Sequence, residues 1–225
     1  MSGRQGQREQ LRHWLPSQGV DPAPLAELNA ECLGLLALRA GNSGNSGNSG
    51  NSGNPDGLPG LLSELRDLWA DLPNLAVRRL AAAPFSLFDA GFASSPRWLE
   101  LRAPGVSDLS QRSEPVYFQS AAARSITRRM LVYGWHLARS RPRAACLVFG
   151  ATLPVVESLA ACSLSALEAA AERNGDALRP RWQQQHAFWR ELLTAASTGA
   201  DQRLHELLLG GVQRLAADTL AAQAT

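Results

Sequence analysis

The sequence predicts an all-α fold, a multi-helix globular bundle. Through most of the 225 residues, apolar side chains recur at the three- and four-residue spacing of amphipathic helices. Strand signals are nearly absent, because no stretch alternates apolar and β-branched residues with polar ones beside a hairpin-type turn. Hydrophobic residues make up 45% of the chain, which is enough to build one sizeable core.

A tripeptide repeat divides the chain. GNSGNSGNSGNSGN occupies residues 41–54. Gly and Ser give flexibility and Asn tolerates turn conformations, so we predict a disordered linker with a root-mean-square span of roughly 20 Å. Whether the repeat is a natural expansion or an engineered insertion stays open. The predicted organisation is an N-terminal helical segment over residues 1–40, this linker, and a main all-α domain over residues 55–225.

The N-terminal segment predicts one substantial helix. A small apolar face over residues 11–15 stops at Pro16, and Asp21 and Pro22 then supply a cap and a helix-opening proline. Forty residues cannot bury an apolar stripe alone, so this helix is expected to dock on the main domain. The stripe comprises Leu25, Leu28, Cys32, Leu35 and Leu36.

In the main domain, the apolar spacing predicts a helix over 58–69, another over 75–83, a long helix that starts at 113–115, and two helices near the C-terminus. The C-terminal pair carries apolar stripes at 188–193 and 204–215. A stretch with Phe85, Phe88, Phe92 and Trp98 among Gly, Ser and Pro predicts a short helix and an irregular loop that covers the core.

Residues 150–182 predict two short helices with a corner between them. Gly150 ends the preceding helix, and Thr152 is a good N-cap for the first short helix, with Pro154 in its first turn. Ser163 caps the second helix, whose apolar anchors are expected to be Leu164 and Leu167. Asn174 and Gly175 are typical of a left-handed stop. The pattern is compatible with a helix-turn-helix.

Direct base reading by the second short helix is disfavoured. A recognition helix presents Arg, Asn, Gln or Ser to base edges. The segment 163–173 instead offers Glu168 and Glu172, with Arg173 only at its end. Carboxylates repel phosphates at short range. We therefore expect this segment to act as a helical corner, and nucleic acid to be contacted only indirectly or weakly.

Cap, Leu and Ala positions in the same region follow a known family pattern. The shared features are Gly150, Leu159-Ala160-Ala161, Ser163-Leu164, Leu167, Ala171-Glu172, Asn174, and Arg181 before Trp182, preceded by His136-Leu137, Ala145 and Phe149. With them, residues 128–182 resemble the C-terminal half of FlhD, the flagellar master-regulator subunit.

The resemblance implies a helical regulatory subunit that dimerises and works with a partner. In the FlhD family the partner subunit carries the zinc and much of the DNA contact. This chain has three cysteines and no four-cysteine zinc pattern, so it is not expected to replace that partner. The first 110 residues have no counterpart in the family.

No catalytic, cofactor or metal site is predicted. None of the four histidines lies three or four residues from another His or from a Cys, and no phosphate loop, Rossmann glycine pattern or nucleophile elbow occurs. We expect His136 to be a partly buried structural residue.

The N-terminus lacks the apolar core of a signal peptide, and no apolar run approaches the ~20 residues of a membrane span. A cytoplasmic protein without membrane insertion is expected.

An arginine cluster is the candidate binding surface. The net charge of +2 is too small to indicate a general polyanion partner. Locally, however, arginines gather on the long helix, at its end, and around Pro180. Cations at a helix C-terminus also complement the helix dipole, which offers a purely structural interpretation of 139–143. The candidate partner-binding or nucleic-acid-binding residues are Arg124, Arg128, Arg139, Arg141, Arg143, Arg179 and Arg181.

The leading hypothesis is a non-enzymatic regulatory subunit that acts through protein–protein contacts in transcriptional control, with a homodimer through residues 120–182. The alternative is an assembly adaptor or chaperone of a bacterial secretion or motility machine. The first predicts retention on DNA that weakens steeply with salt, alone or with a partner. The second predicts no DNA retention and co-purification with a membrane-associated component.

Overall fold

The computed structural model describes residues 19–42, 58–93 and 116–223 of the chain. Within them the all-α prediction is confirmed, with ten helices and one pair of two-residue strands. In chain order the helices are α1 (Ala23–Asn42), α2 (Gly60–Glu64), α3 (Arg66–Ala70), α4 (Asn74–Ala81), α5 (Ser120–Ser140), α6 (Pro142–Phe149), α7 (Leu153–Ala161), α8 (Leu164–Asn174), α9 (His186–Thr198) and α10 (Asp201–Gln223). The strands β1 (Phe88–Asp89) and β2 (Arg179–Pro180) pair antiparallel.

Several sequence predictions lie outside the described residues. These are the apolar face at 11–15, Trp98, and the linker from residue 43 onward. The prediction that the long helix starts at 113–115 is wrong, because residues 116–119 are not helical and α5 begins at Ser120. The first two residues of the predicted linker, Gly41 and Asn42, are instead the last residues of α1. The linker prediction therefore begins too early.

Helix α1 begins where the sequence predicts. The backbone N–H of Ala23 donates to the Asp21 carboxylate at 2.9 Å, so Asp21 supplies the expected cap. Cys32, Leu33 and Leu36 are fully buried. Helix α1 packs against α3 and α4 and also touches α5. The apolar face of α1 is therefore covered by helices that follow the repeat in the chain.

Helix α5 is the centre of the second half of the molecule. It packs against α6, α7 and α8. Gly150 adopts the left-handed conformation at φ 55°, as predicted, and ends α6. Ser163 caps α8 as predicted, since its hydroxyl accepts the backbone N–H of Ala166 at 3.2 Å. Leu164, however, is 54% exposed, so of the two predicted anchors of α8 Leu167 is the one that is buried, together with Ala170 and Ala171.

Gly175 does not form the predicted left-handed stop. Its φ of −52° and ψ of −38° are right-handed, and the chain continues through a 3₁₀ turn at Gly175–Ala177. Glycine is needed here because the backbone lies close to α5, where an added Cβ would be 2.7 Å from Cγ of Arg124.

The prediction of a single helix over 58–69 is also wrong, since Leu65 separates α2 from α3.

Residues 83–92, which we call the buried segment, run through the core without forming a helix. Every one of them is buried. The described part of the stretch for which a short helix was predicted contains strand β1, which pairs with β2, and the rest of that stretch lies outside the described residues. Buried backbone outside a helix must find hydrogen-bond partners elsewhere. These partners come from distant parts of the chain.

Asn29 supplies the first set of partners. This α1 side chain is 1% exposed. Its amide nitrogen donates to the carbonyl of Phe85 at 3.1 Å, and its amide oxygen accepts the N–H of Leu87 at 3.0 Å. Ser86 adds a further backbone link, because its N–H donates to the carbonyl of Val148 at 2.9 Å. One buried amide therefore ties α1 to the buried segment.

Among the described helices, no single one combines the length and apolar composition that crossing a bilayer requires. Helices α6 and α7 reach that composition only when they are taken together, and a bend of 115° separates them.

Two neighbouring glycines of α10 test the packing on the buried segment. A Cβ at Gly211 would lie 2.5 Å from Cζ of Phe85, whose ring is buried and cannot move aside. A Cβ at Gly210 would meet no atom within 4 Å. We expect Gly211→Ala to lower the free energy of unfolding by about 1–3 kcal/mol through overpacking. Gly210→Ala should raise it by roughly 0.5–1 kcal/mol through helix propensity. Denaturant unfolding of both variants measures the difference, and equal effects would contradict this packing.

Candidate interaction surface

An open groove of about 640 Å³ runs along the outer face of α5. Helix α1 and the α7–α8 corner lie on its two sides, since Glu31 of α1 and Glu168 of α8 both contact α5 residues that line it. Val132, one of the residues that line it, is 36% exposed. We call this surface the α5 groove, and its lining residues are Ser125, Arg128, Arg129, Val132, Tyr133, Trp135 and His136.

Two aromatic side chains of the α5 groove are held in place by hydrogen bonds. The indole N–H of Trp135 donates to the carbonyl of Cys162 at 3.0 Å. The Tyr133 hydroxyl donates to the carbonyl of Asp21 at 3.2 Å. Burial, and secondarily the nearby Asp21 charge, raise the pKa of Tyr133 to about 12, so its hydroxyl stays a donor at neutral pH. The aromatic surface of the groove is therefore largely preorganised.

The arginines beside the groove are neutralised within the chain. Arg128 pairs with Glu168 at 2.5 Å and Arg129 pairs with Glu31 at 2.5 Å. One turn earlier, Arg124 pairs with Glu172 at 3.4 Å. These are exposed pairs, each worth on the order of 0–1 kcal/mol. Their main consequence is that this part of the predicted basic cluster faces carboxylates rather than open solvent.

Three other predicted arginines keep their charge uncompensated. Arg139, Arg141 and Arg143 are all exposed at the junction of α5 and α6, and we call them the basic corner. Among the described residues, no carboxylate forms an ion pair with any of them. Cζ of Arg139 lies 4.8 Å from the ring centroid of Trp135, so the basic corner adjoins the α5 groove.

Arg181 is not a surface residue, so its assignment to an exposed binding cluster is wrong. It is 7% exposed and pairs with the buried carboxylate of Asp89 at 3.6 Å. Its Nε donates to the carbonyl of Ser86 at 2.9 Å, and its Nη2 donates to the carbonyl of Phe149. Burial lowers the pKa of Arg181, and the Asp89 charge opposes that shift. Arg181 is thus the second side chain that satisfies the buried segment.

Arg179 lies beside Arg181 but in a different setting. It is half-buried in strand β2, where its backbone pairs with that of Asp89. The structure therefore separates the predicted cluster into three groups. The arginines on α5 beside the groove are neutralised, the basic corner is exposed, and Arg179 and Arg181 are part of the packing around the buried segment.

The α7–α8 corner does not present a base-reading helix. Glu168 and Glu172 turn toward α5, where they pair with arginines. Of the described side chains that α8 exposes, Ser165 and Arg173 are of types that recognise bases, and the others are Leu164, Ala169 and Glu172. This geometry agrees with use of the segment as a structural corner.

The described residues contain no group of three or more His, Cys, Asp or Glu side chains that could hold a metal ion. Burial raises the pKa values of the thiols of Cys32 and Cys146, so both favour the unreactive protonated form.

His136 is exposed on α5, in contrast to the partly buried position predicted for it.

Sequence reasoning missed Val132 and Trp135. Both lie off the apolar stripe of the long helix, which comprises Ala123, Ile126, Met130, Tyr133 and Leu137. A β-branched residue and an aromatic residue outside that stripe are the signal from which a second apolar face could have been predicted. An apolar surface wider than one helical stripe indicates a second contact face.

The buried ion pair makes a stability prediction. Arg181→Met leaves Asp89 buried without its cation, so we expect the free energy of unfolding to fall by about 3–5 kcal/mol. Arg203→Met removes an exposed, solvent-screened pair with Glu191 and should cost far less. Denaturant unfolding of the two variants gives the comparison. A loss at Arg181 as small as the loss at Arg203 would show that the buried pair does not hold the core.

The raised pKa of Tyr133 predicts a loss of stability at alkaline pH. Its folded value of about 12 exceeds the ordinary value of 10, so its contribution is complete below pH 10 and is lost as the pH rises toward 12. Tyr133→Phe should therefore lose less stability than the wild type over that interval. Tyr117, whose pKa burial also raises to about 12, and the buried thiols of Cys32 and Cys146, whose pKa values burial raises as well, contribute to the decline that remains. Urea unfolding at a series of pH values measures both, and identical profiles would contradict the assignment.

A comparison of the chain with protein-family models, with curated proteins and with solved structures found no match.

Proposed function

We propose that this chain is a non-enzymatic helical regulatory subunit that acts through protein–protein contacts in transcriptional control. The observation that carries the proposal is the α5 groove, a preorganised aromatic surface whose flanking charges are already paired. Aromatic residues fixed before binding lose little conformational entropy when a partner covers them. Such residues often supply most of the energy of a protein interface.

The charges of the groove favour a protein over a nucleic acid. A phosphate backbone that followed α5 would approach Glu31 and Glu168, which lie within ion-pair distance of the groove arginines. Binding a polyanion there would require these internal pairs to break. A neutral protein surface makes no such demand, and it gains from covering Val132 and Trp135.

The regulatory assignment also draws on the FlhD-like pattern over residues 128–182. In this proposal α5 and the α7–α8 corner, which fall largely inside that stretch, carry the contact. A homodimer through residues 120–182 belongs to the same proposal, and sedimentation of the purified chain tests it directly.

A charge placed in the α5 groove tests the proposed function. Val132→Glu replaces a β-branched residue with a better helix former and puts a carboxylate in the groove, next to the aromatic surface. We expect affinity capture from the native host to lose the bound protein by at least about tenfold, because a partner would have to bury an unpaired charge. Quantitative mass spectrometry of the captured material provides the measurement. The expected partner is a component of the transcription machinery.

Leu220→Glu is the matched control, because Leu220 is 66% exposed on α10 and lies on a different helix. It should retain the captured partner. Retention by both variants would refute contact through the groove. Capture of a membrane-associated secretion or motility component instead would replace the regulatory proposal with the assembly-adaptor alternative.

A further inference from the structure

The arginines of α5 and α6 divide into two groups along the helix. Arg124, Arg128 and Arg129 each face a carboxylate of α1 or α8. The three arginines of the basic corner, which follow on from them, form no ion pair with a described carboxylate, and all are exposed. The chain therefore neutralises one end of this surface and leaves the other end positive.

The two ends form a continuous surface. Trp135 lines the α5 groove, and the guanidinium of Arg139 lies over its ring at 4.8 Å. From Ser125 to Arg139 the surface covers 14 helical steps, about 21 Å at 1.5 Å per residue. A partner helix of about four turns would match that length. The surface is thus long, narrow, apolar at one end and cationic at the other.

We infer that the occupant of this surface is an amphipathic helix of a partner protein, with an apolar face and a cluster of carboxylates at one end. Its apolar face covers Val132 and Trp135, and its carboxylates pair with the basic corner. This inference rests on the proposed function, because it names the kind of partner that the same groove takes. Helices that lay an apolar face into a groove are a common mode of peptide recognition.

Charge complementarity selects this occupant over two other anionic ones. A nucleic acid carries charge along its whole length, whereas the surface is cationic only at the basic corner. A bilayer would bring lipid phosphates close to Glu31 and Glu168, well within the Debye length of about 8 Å. A helix with carboxylates at one end meets arginines at the corner and apolar atoms along the groove.

Synthetic peptides test the inference on the full 225-residue chain. The probe is a fluorescein-labelled peptide of 18 residues with Leu on one helical face and a cluster of Glu at one end. A second peptide carries Lys at the Glu positions, and a third has the acidic composition in scrambled order. Fluorescence anisotropy gives the affinities at low and high salt. The acidic amphipathic peptide should bind about tenfold or more tightly than either of the others, and raised salt should weaken it.

Charge reversal locates the contact. Arg139→Glu combined with Arg143→Glu should weaken the acidic peptide by about tenfold or more, and the same two positions changed to Gln should give a smaller loss. Arg190→Glu on α9 reverses an equally exposed arginine elsewhere and should leave the affinity unchanged. Circular dichroism confirms that each variant keeps its helices.

Four outcomes would overturn the inference. They are equal binding of the Lys peptide, equal binding of the scrambled peptide, no loss on charge reversal, and tighter binding of either a 20-nucleotide single strand or phosphatidylglycerol vesicles that depends on the basic corner. If the acidic peptide fails while Val132→Glu still abolishes capture, the partner class is wrong and the interaction function stands. If Val132→Glu retains the captured partner, the proposed function itself fails, whatever the peptide does.

Discussion

The backbone of the buried segment imposes the constraint on which the rest of the fold depends. Residues 83–92 cross the core without a helix to satisfy their N–H and C=O groups, and each group left unpaired would cost about 1–3 kcal/mol. Asn29 and Arg181 provide partners from opposite ends of the chain. Helix α1, separated from the main domain by the repeat, therefore belongs to the core in two respects: its apolar face and its buried amide.

The helices were predictable because their signal is local, whereas the satisfaction of the buried segment is not. Asn29 and Phe85 are 56 positions apart, and Arg181 and Ser86 are 95 apart. Nothing in the neighbourhood of Arg181 separates it from Arg179, so both resembled surface arginines. The burial of Arg181 follows only once β1 and β2 have paired and placed a carboxylate and two carbonyls around it. Apolar periodicity carries no information of that kind.

The candidate surface was predictable in part, because the exposure of some of its arginines follows from the local sequence and the pairing of the others depends on distant residues. Arg139, Arg141 and Arg143 follow one another at a helix junction, so their exposure could be inferred from the chain itself. Whether Arg128 stays available depends on the helix that packs beside it. Glu168 and Glu172 are four residues apart on α8, and Arg124 and Arg128 repeat that spacing on α5, so the two pairs form together once the helices align. Such complementarity can be recognised in a sequence only after the two helices are known to be neighbours.

In the proposed interaction, the α5 groove and the basic corner have different roles: the first contributes to affinity and the second to the rate of association. In the proposed interaction, apolar contact along Val132 and Trp135 would supply affinity without opposing charge, because the carboxylates of Glu31 and Glu168 have already compensated the local arginines. Charge confined to one end would act at longer range, where it would orient an approaching partner and raise the association rate. A uniformly basic helix would attract any polyanion. Because Arg124, Arg128 and Arg129 are paired internally, the positive charge is restricted to the basic corner, so in the proposed interaction an occupant must match the apolar groove as well as the charge.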